Sequence, residues 1–156
     1  MESKIFIDEE IEPREYRRRA RRLTLRNFKW IKKRREEFAD LFSEENKNLK
    51  KLLLFLWDHN IETVGCCAGH YDEYDYGLKF PYICLYAPER LDSMESVLEI
   101  LQHVQERCET FCVGGQYMRQ KDTNRSMIII RPVFQLPPKK AEMFFSSVLE
   151  VFQKIL

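Results

Sequence analysis

Within the stretch VGCCAGHYD, Cys67 and His70 stand three residues apart, the spacing of a thiolate–imidazole chelate. Both ligand types suit zinc. Zinc is therefore one candidate cofactor, with Cys67 and His70 as candidate ligands. Cys66 is adjacent and turns to the opposite side if strand geometry continues through it. Two more ligands would have to come from Cys84, Cys108, Cys112 or Asp72 once the chain has folded. The same residues admit three other chemistries. Gly65 and Gly69 bracket the stretch, and glycine serves where backbone turns into φ > 0 or must approach a neighbour closely. Successive main-chain amides in such a turn make a concave anion site. Gly65, Cys66, Cys67, Gly69, His70 and Asp72 are then the ligand-binding set, and phosphate or carboxylate is the guest. A nucleophilic cysteine is the next alternative, with His70 or His59 as its base. The last is a tight turn with two buried thiols, because free cysteine is among the most buried residue types.

A second group of residues points to phosphate. Between residues 14 and 35 the chain carries twelve Lys or Arg against one acid, a net +11. Residues 1–13 carry −4 and the remainder −6, so a basic stretch joins an acidic body, and the whole chain carries +1. Arginine's planar fork matches phosphate, and a helix of that length reaches about 33 Å. Arg14, Arg17, Arg18, Arg21, Arg22, Lys29 and Lys33 are the candidate nucleic-acid contacts, with Phe28 and Trp30 available to stack on bases. The alternatives are a solvated helix face, docking on an acidic partner, or contact with the chain's own acidic body.

The elements that must hold these residues follow from periodicity. Residues 14–42 lack Gly and Pro and carry a stripe of Phe28, Ile31, Phe38 and Phe42. A break is expected near residues 23–25, with Asn27 as a new cap. Ser43 is placed to cap the next helix, whose Leu49, Leu52, Leu53 and Leu56 share one face. Asn60 suits the left-handed close of that helix. Residues 61–64 read as a short strand running into the GCCAGH loop, and residues 80–86 as a second, central strand. Asp92 and Glu95 have capping-box spacing ahead of a helix with Met94, Val97, Leu98, Leu101 and Val104 on one side. Residues 111–118 and 126–134 read as paired strands across a polar turn. Pro137-Pro138 opens a last helix carrying Ala141, Phe144, Phe145, Val148, Phe152 and Ile155.

The order αββαββα predicts an α+β fold, a four-stranded mostly antiparallel sheet with helices on one face, preceded by a basic helical segment. The division expected is 1–43 for that segment and 44–156 for the α+β domain. Read cyclically, the string is that of a ferredoxin-like fold with shifted ends, or of a ββα unit used twice. The acidic start MESKIFIDEE has no apolar segment, and no run approaches the ~20 residues of a membrane span. The reading is a cytoplasmic chain with reduced thiols and no membrane partner; five cysteines, an odd count, agree with it.

The loop and its surroundings resemble the tRNA wybutosine-synthesis methyltransferase family. Cys67-Ala68-Gly69-His70 takes the place of that family's Ser/Cys-rich turn, with His70 where the family has arginine and Cys66 where it has serine. Gly114-Gly115 corresponds to its later glycines, and Ile128-Ile129-Ile130-Arg131 to its last strand. This resemblance implies S-adenosylmethionine as cofactor and RNA modification as the activity. The loop is also similar to the Cys-Cys-x-Gly-His turns of short uncharacterised bacterial and phage proteins. The leading expectation is a binding domain for an anionic ligand, nucleotide or nucleic-acid phosphate, at the GCCAGH loop, with RNA or DNA as partner. The alternatives are the methyltransferase and a protein-interaction module, and the oligomeric state is left open.

Overall fold

The computed structural model describes residues 28–29, 31–69, 80–108, 112–120, 125–134 and 136–156. Helical turns at 28–29 and 31–33 lead to α1 (Arg35–Ser43) and α2 (Lys47–Asp58). Strands β1 (Thr63–Cys67) and β2 (Tyr82–Tyr86) come next, then a short 3-10 turn (Glu89–Leu91) and α3 (Met94–Arg107). Strands β3 (Val113–Gln120) and β4 (Arg125–Pro132) precede the closing helix α4 (Pro138–Ile155). The fold is α+β, as the periodicity predicts. The sheet order is β1-β2-β4-β3, and all three neighbour pairs are antiparallel. That order is what a ferredoxin-like sheet yields when its chain ends shift. It is equally what two ββα units yield when their second strands pair, so the two descriptions name one topology.

The sheet has two unlike faces. Cys66, Ile83, Leu85, Ile128 and Ile130 belong to the core cluster, and Tyr117, Val113 and Ala68 pack against it. The register puts all of these on one side: Cys66 opposite Ile83, Ile83 opposite Ile130, Leu85 opposite Ile128, Ile128 opposite Tyr117. On that side lie Phe38 and Phe42 of α1, Leu49, Leu52, Leu53, Leu56 and Trp57 of α2, Val97, Ile100 and Val104 of α3, and Phe144, Phe145, Val148, Val151 and Phe152 of α4. The alternate residues, Cys67, Tyr82, Cys84, Tyr86, Met127 and Ile129, are absent from this core. No described helix packs its buried face against them.

Several local expectations are corrected. Asn46, rather than Ser43, caps α2: its Oδ1 accepts the Leu49 amide at 3.0 Å. Ser43 is already the last residue of α1 and donates back to the Asp40 carbonyl. The two residues between, Glu44 and Glu45, both take positive φ, 51° and 72°. Ser93 caps α3 by accepting the Ser96 amide at 3.1 Å. Asp92 is released from capping and accepts the Tyr117 hydroxyl at 2.6 Å. Hydrogen bonds from Ser126 and Tyr117 hold the Asp92 carboxyl below its usual range. The buried stripe of α3 is Val97, Ile100 and Val104, and Met94 and Leu98 are exposed. The reason is helical geometry: Ile100 sits between Val97 and Val104, which rotates Leu98 out to the flank. The stripe of Ile31, Phe38 and Phe42 is buried as expected, but Arg34 (φ −120°, ψ 40°) interrupts the helix between them. Asn60 closes α2 at φ 59° and Pro138 opens α4, both as expected. The break expected near residues 23–25 lies outside the described residues. No described helix is long and apolar enough to cross a membrane.

Candidate functional site

The strand carrying the two cysteines starts where α2 hands it over. Trp57 is buried and its indole Nε1–H donates to Thr63 Oγ1 at 3.1 Å, which ties the end of α2 to the start of β1. The register of β1 against β2 then shifts between Thr63 and Gly65, a bulge at Val64. Gly65, Cys66 and Cys67 stay paired beyond it, opposite Cys84, Ile83 and Tyr82. The loop is therefore shorter than residues 65–70. β1 runs three residues past the expected end, and only Ala68 and Gly69 of the described residues leave the sheet.

Pairing decides what each predicted ligand does. Cys66 turns to the core, where its Sγ–H donates to the Phe42 carbonyl at 3.4 Å and pins α1 to the sheet. Cys67 turns to the opposite face, against which no described helix packs, and is fully buried. Gly69 takes φ 98°, the conformation glycine adopts without a Cβ penalty. Its N–H bends back to Cys67 Sγ at 3.3 Å, so this amide is held by the chain's own sulfur. Gly65, with no positive φ, sits in the ladder opposite Cys84. His70 and Asp72 lie outside the described residues. Among the described residues no three of His, Cys, Asp and Glu come together as a metal site. Cys66 and Cys67 face opposite sides of the strand, so they cannot serve one ion together.

A residue that the loop's composition did not single out as a ligand joins this end of the sheet. Arg131 follows Ile130, whose partner is Ile83, so Arg131 and Tyr82 are the next positions on the face that carries Cys67. Cys67 is opposite Tyr82 and Gly114 is opposite Arg131. The four make one row across the end of the sheet from which the 68–80 connection departs. The Arg131 guanidinium lies over the Phe80 ring at 5.7 Å from its centroid, and the residue is exposed. In a strand reading Ile128-Ile129-Ile130-Arg131, the period of two puts Arg131 opposite in sense to Ile128 and Ile130, but only the strand pairings put it beside Cys67.

At the other end of the same face, the Arg125 guanidinium covers the Tyr86 ring at 3.6 Å and donates to Glu62 Oε2 at 3.0 Å. Burial pushes the Glu62 carboxyl up, and the charge of Arg125 opposes that rise. Of the predicted basic contacts, Arg14, Arg17, Arg18, Arg21 and Arg22 lie outside the described residues. Lys29 and Lys33 are exposed, one helical turn apart. Lys32 donates to Asn60 Oδ1 at 2.8 Å. Arg34 pairs with Glu37, and Arg35 with Glu36 and Asp58. The end of the basic stretch is thus partly spent on the acidic body, one of the alternatives weighed above. Against known proteins, no family model, curated protein or solved structure matches this chain.

Proposed function

We propose that the chain is an intracellular, cytoplasmic binding domain for phosphate-bearing ligands, a nucleic-acid strand before a free nucleotide. The strand lies at the end of the sheet where β1 runs out. The observation that carries this reading is the exposed Arg131 on the face opposite the described helices. Its guanidinium is backed by the Phe80 ring and stands in a row with Tyr82 and Cys67. A guanidinium steadied on an aromatic ring keeps its fork free for phosphate. An exposed arginine backed by a ring at the end of a sheet also suits an unpaired base. With the Gly69 amide already turned onto Cys67, the phosphate contacts fall to side-chain cations rather than to that glycine. Lys29 and Lys33 add sequence-independent contacts from the basic stretch, and His70 supplies a donor from the connection after β1.

The test is fluorescence anisotropy with labelled single-stranded RNA and DNA over a salt series. Affinity should fall linearly on a log–log plot, by about 0.7 in slope for each phosphate neutralised on a single strand. Arg131→Gln should weaken binding and reduce the steepness by about that one contact. Absence of binding at low salt, or an unchanged slope in a folded Arg131→Gln protein, sinks the proposal.

One observation favours the methyltransferase as a second reading. The stretches that carry that resemblance meet at one place: Cys67 and Gly69 at the end of β1, Gly114 opposite Arg131 at the same end. Calorimetric titration with S-adenosylmethionine, with and without RNA, separates the two. Heat of binding supports the enzyme, and a flat trace with intact RNA binding leaves the binding domain.

A further inference from the structure

The two edges of this sheet are not alike. β1 has five residues, and the bulge at Val64 spoils its regularity, a common device against edge-to-edge pairing. β3 has eight residues, each in register with β4 and without interruption. Its sequence VGGQYMRQ contains no Pro or Lys and one charge, Arg119. We infer that β3 pairs with β3 of a second copy of the chain, extending the sheet across a two-fold axis. This interface stands apart from the nucleic-acid reading and does not depend on it.

Backbone direction supports it. The Cys112 carbonyl accepts the Val133 amide, so Cys112 faces β4. Alternation then turns the main-chain groups of Val113, Gly115, Tyr117 and Arg119 away from β4. The Val113 N–H confirms the sense, because it donates to Gln105 Oε1 of α3 at 2.6 Å. The three positions beyond it are symmetric about Tyr117. An antiparallel strand is self-complementary about a two-fold axis. With the axis at Tyr117, Arg119 of one copy falls opposite Gly115 of the other, which has no side chain of its own and lies under Leu101 of α3.

The flank of α3 completes the surface. Leu101 and Gln105 reach Gly115 and Val113, so this side of the helix overlooks the β3 edge. Met94 and Leu98 lie on the same flank, at helical spacings from Leu101 and Gln105, and are 52% and 58% exposed. Beside them α3 carries exposed Glu95 and Glu99. Arg119 already acts on Asp92 of its own chain, and the two-fold adds the acidic α3 of the other copy to its surroundings. About that axis residues 114–120 of the two copies overlap, seven residues that span about 23 Å, and the sheet and helix layers together are about 20 Å deep. That strip, on the order of 500 Å² in flat projection before relief is counted, approaches the roughly 800 Å² per partner of a stable interface.

Sedimentation of the full chain over a concentration series tests this, together with amide exchange. The chain should sediment at twice its mass, with the Gly115, Tyr117 and Arg119 amides protected. Leu98→Glu, an exposed substitution that adds like charge across the axis, should raise the dimer dissociation constant at least tenfold and release those amides. Met143→Glu, exposed on α4, should leave both readouts unchanged. A chain that is monomeric at every concentration overturns the inference. So does a dimer whose Gly115, Tyr117 and Arg119 amides exchange as freely as in a monomer.

Discussion

The five cysteines differ in what surrounds them. Cys66, Cys67, Cys84 and Cys108 are buried, and Cys112 is exposed. Burial pushes the Cys108 thiol up, which suppresses the nucleophilic thiolate. A thiol reagent should therefore titrate one fast group per native chain, lost in Cys112→Ser. A second fast group would mean that the β1 or β2 thiols are open to solvent. Glycine at 115 answers to space rather than to conformation. A Cβ there would sit 2.5 Å from the Ile129 carbonyl oxygen and 2.7 Å from Leu101 Cδ2, so backbone would have to move. Gly115→Ala should destabilise by about 1–3 kcal/mol in urea unfolding, an overpacking cost. At Gly114 the nearest atom is Val133 Cγ2 at an ordinary 3.5 Å, so Gly114→Ala should cost far less. Equal effects of the two would refute the steric account.

Helices α1 and α2 turn through a corner built on two consecutive left-handed glutamates. The left-handed conformation costs a non-glycine residue roughly 1–2 kcal/mol. Glu45 is exposed and has φ 72°. Glu45→Gly should raise stability by about 0.5–1 kcal/mol, less than the full strain because glycine also loosens the unfolded chain. A fall in the urea midpoint would show that the corner depends on the Glu45 side chain. This corner also shows where sequence reasoning stops. Apolar spacing alone identified α2 and α4, since Leu49, Leu52, Leu53, Leu56, Phe144, Phe145 and Phe152 are all buried where the period puts them. It points to Ser43 and Asp92 as caps, where the fold uses Asn46 and Ser93. Each has a suitable side chain, and the choice rests on which main-chain amides the tertiary fold leaves open. The end of β1 was missed for a related reason. Gly65 reads as a loop residue, yet pairing with Cys84 across the ladder keeps it in the strand. Of the candidate site, the cysteines and Gly69 were legible locally. Arg131 was not, because its place beside Cys67 depends on two intervening strand pairings.

Across the whole molecule, charge is arranged on two scales. Arg34, Arg35 and Lys50 meet Glu36, Glu37, Asp40 and Asp58 at the surface, where each such pair contributes little. Glu62 is different, being almost buried beneath Arg125. Its carboxyl sits above the ordinary 4.5, so the folded chain holds this proton more tightly than the unfolded one. The stabilisation from that proton is complete below the ordinary glutamate range and is lost as pH climbs through the raised native value. The stability of the native chain minus that of Glu62→Gln should therefore fall over that window and stay level on either side. A difference that rises with pH there would show that the Arg125 pairing outweighs burial.

The central strands β2 and β4 come from different hairpins, and their joint is lined by Ile83 with Ile130 and Leu85 with Ile128. Forty-seven residues separate Ile83 from Ile130 along the chain. During synthesis the first hairpin leaves the ribosome with its greasiest flank unmated and waits through α3 and β3 before its mate emerges. Nascent polypeptide at that stage is a natural client for holdase chaperones.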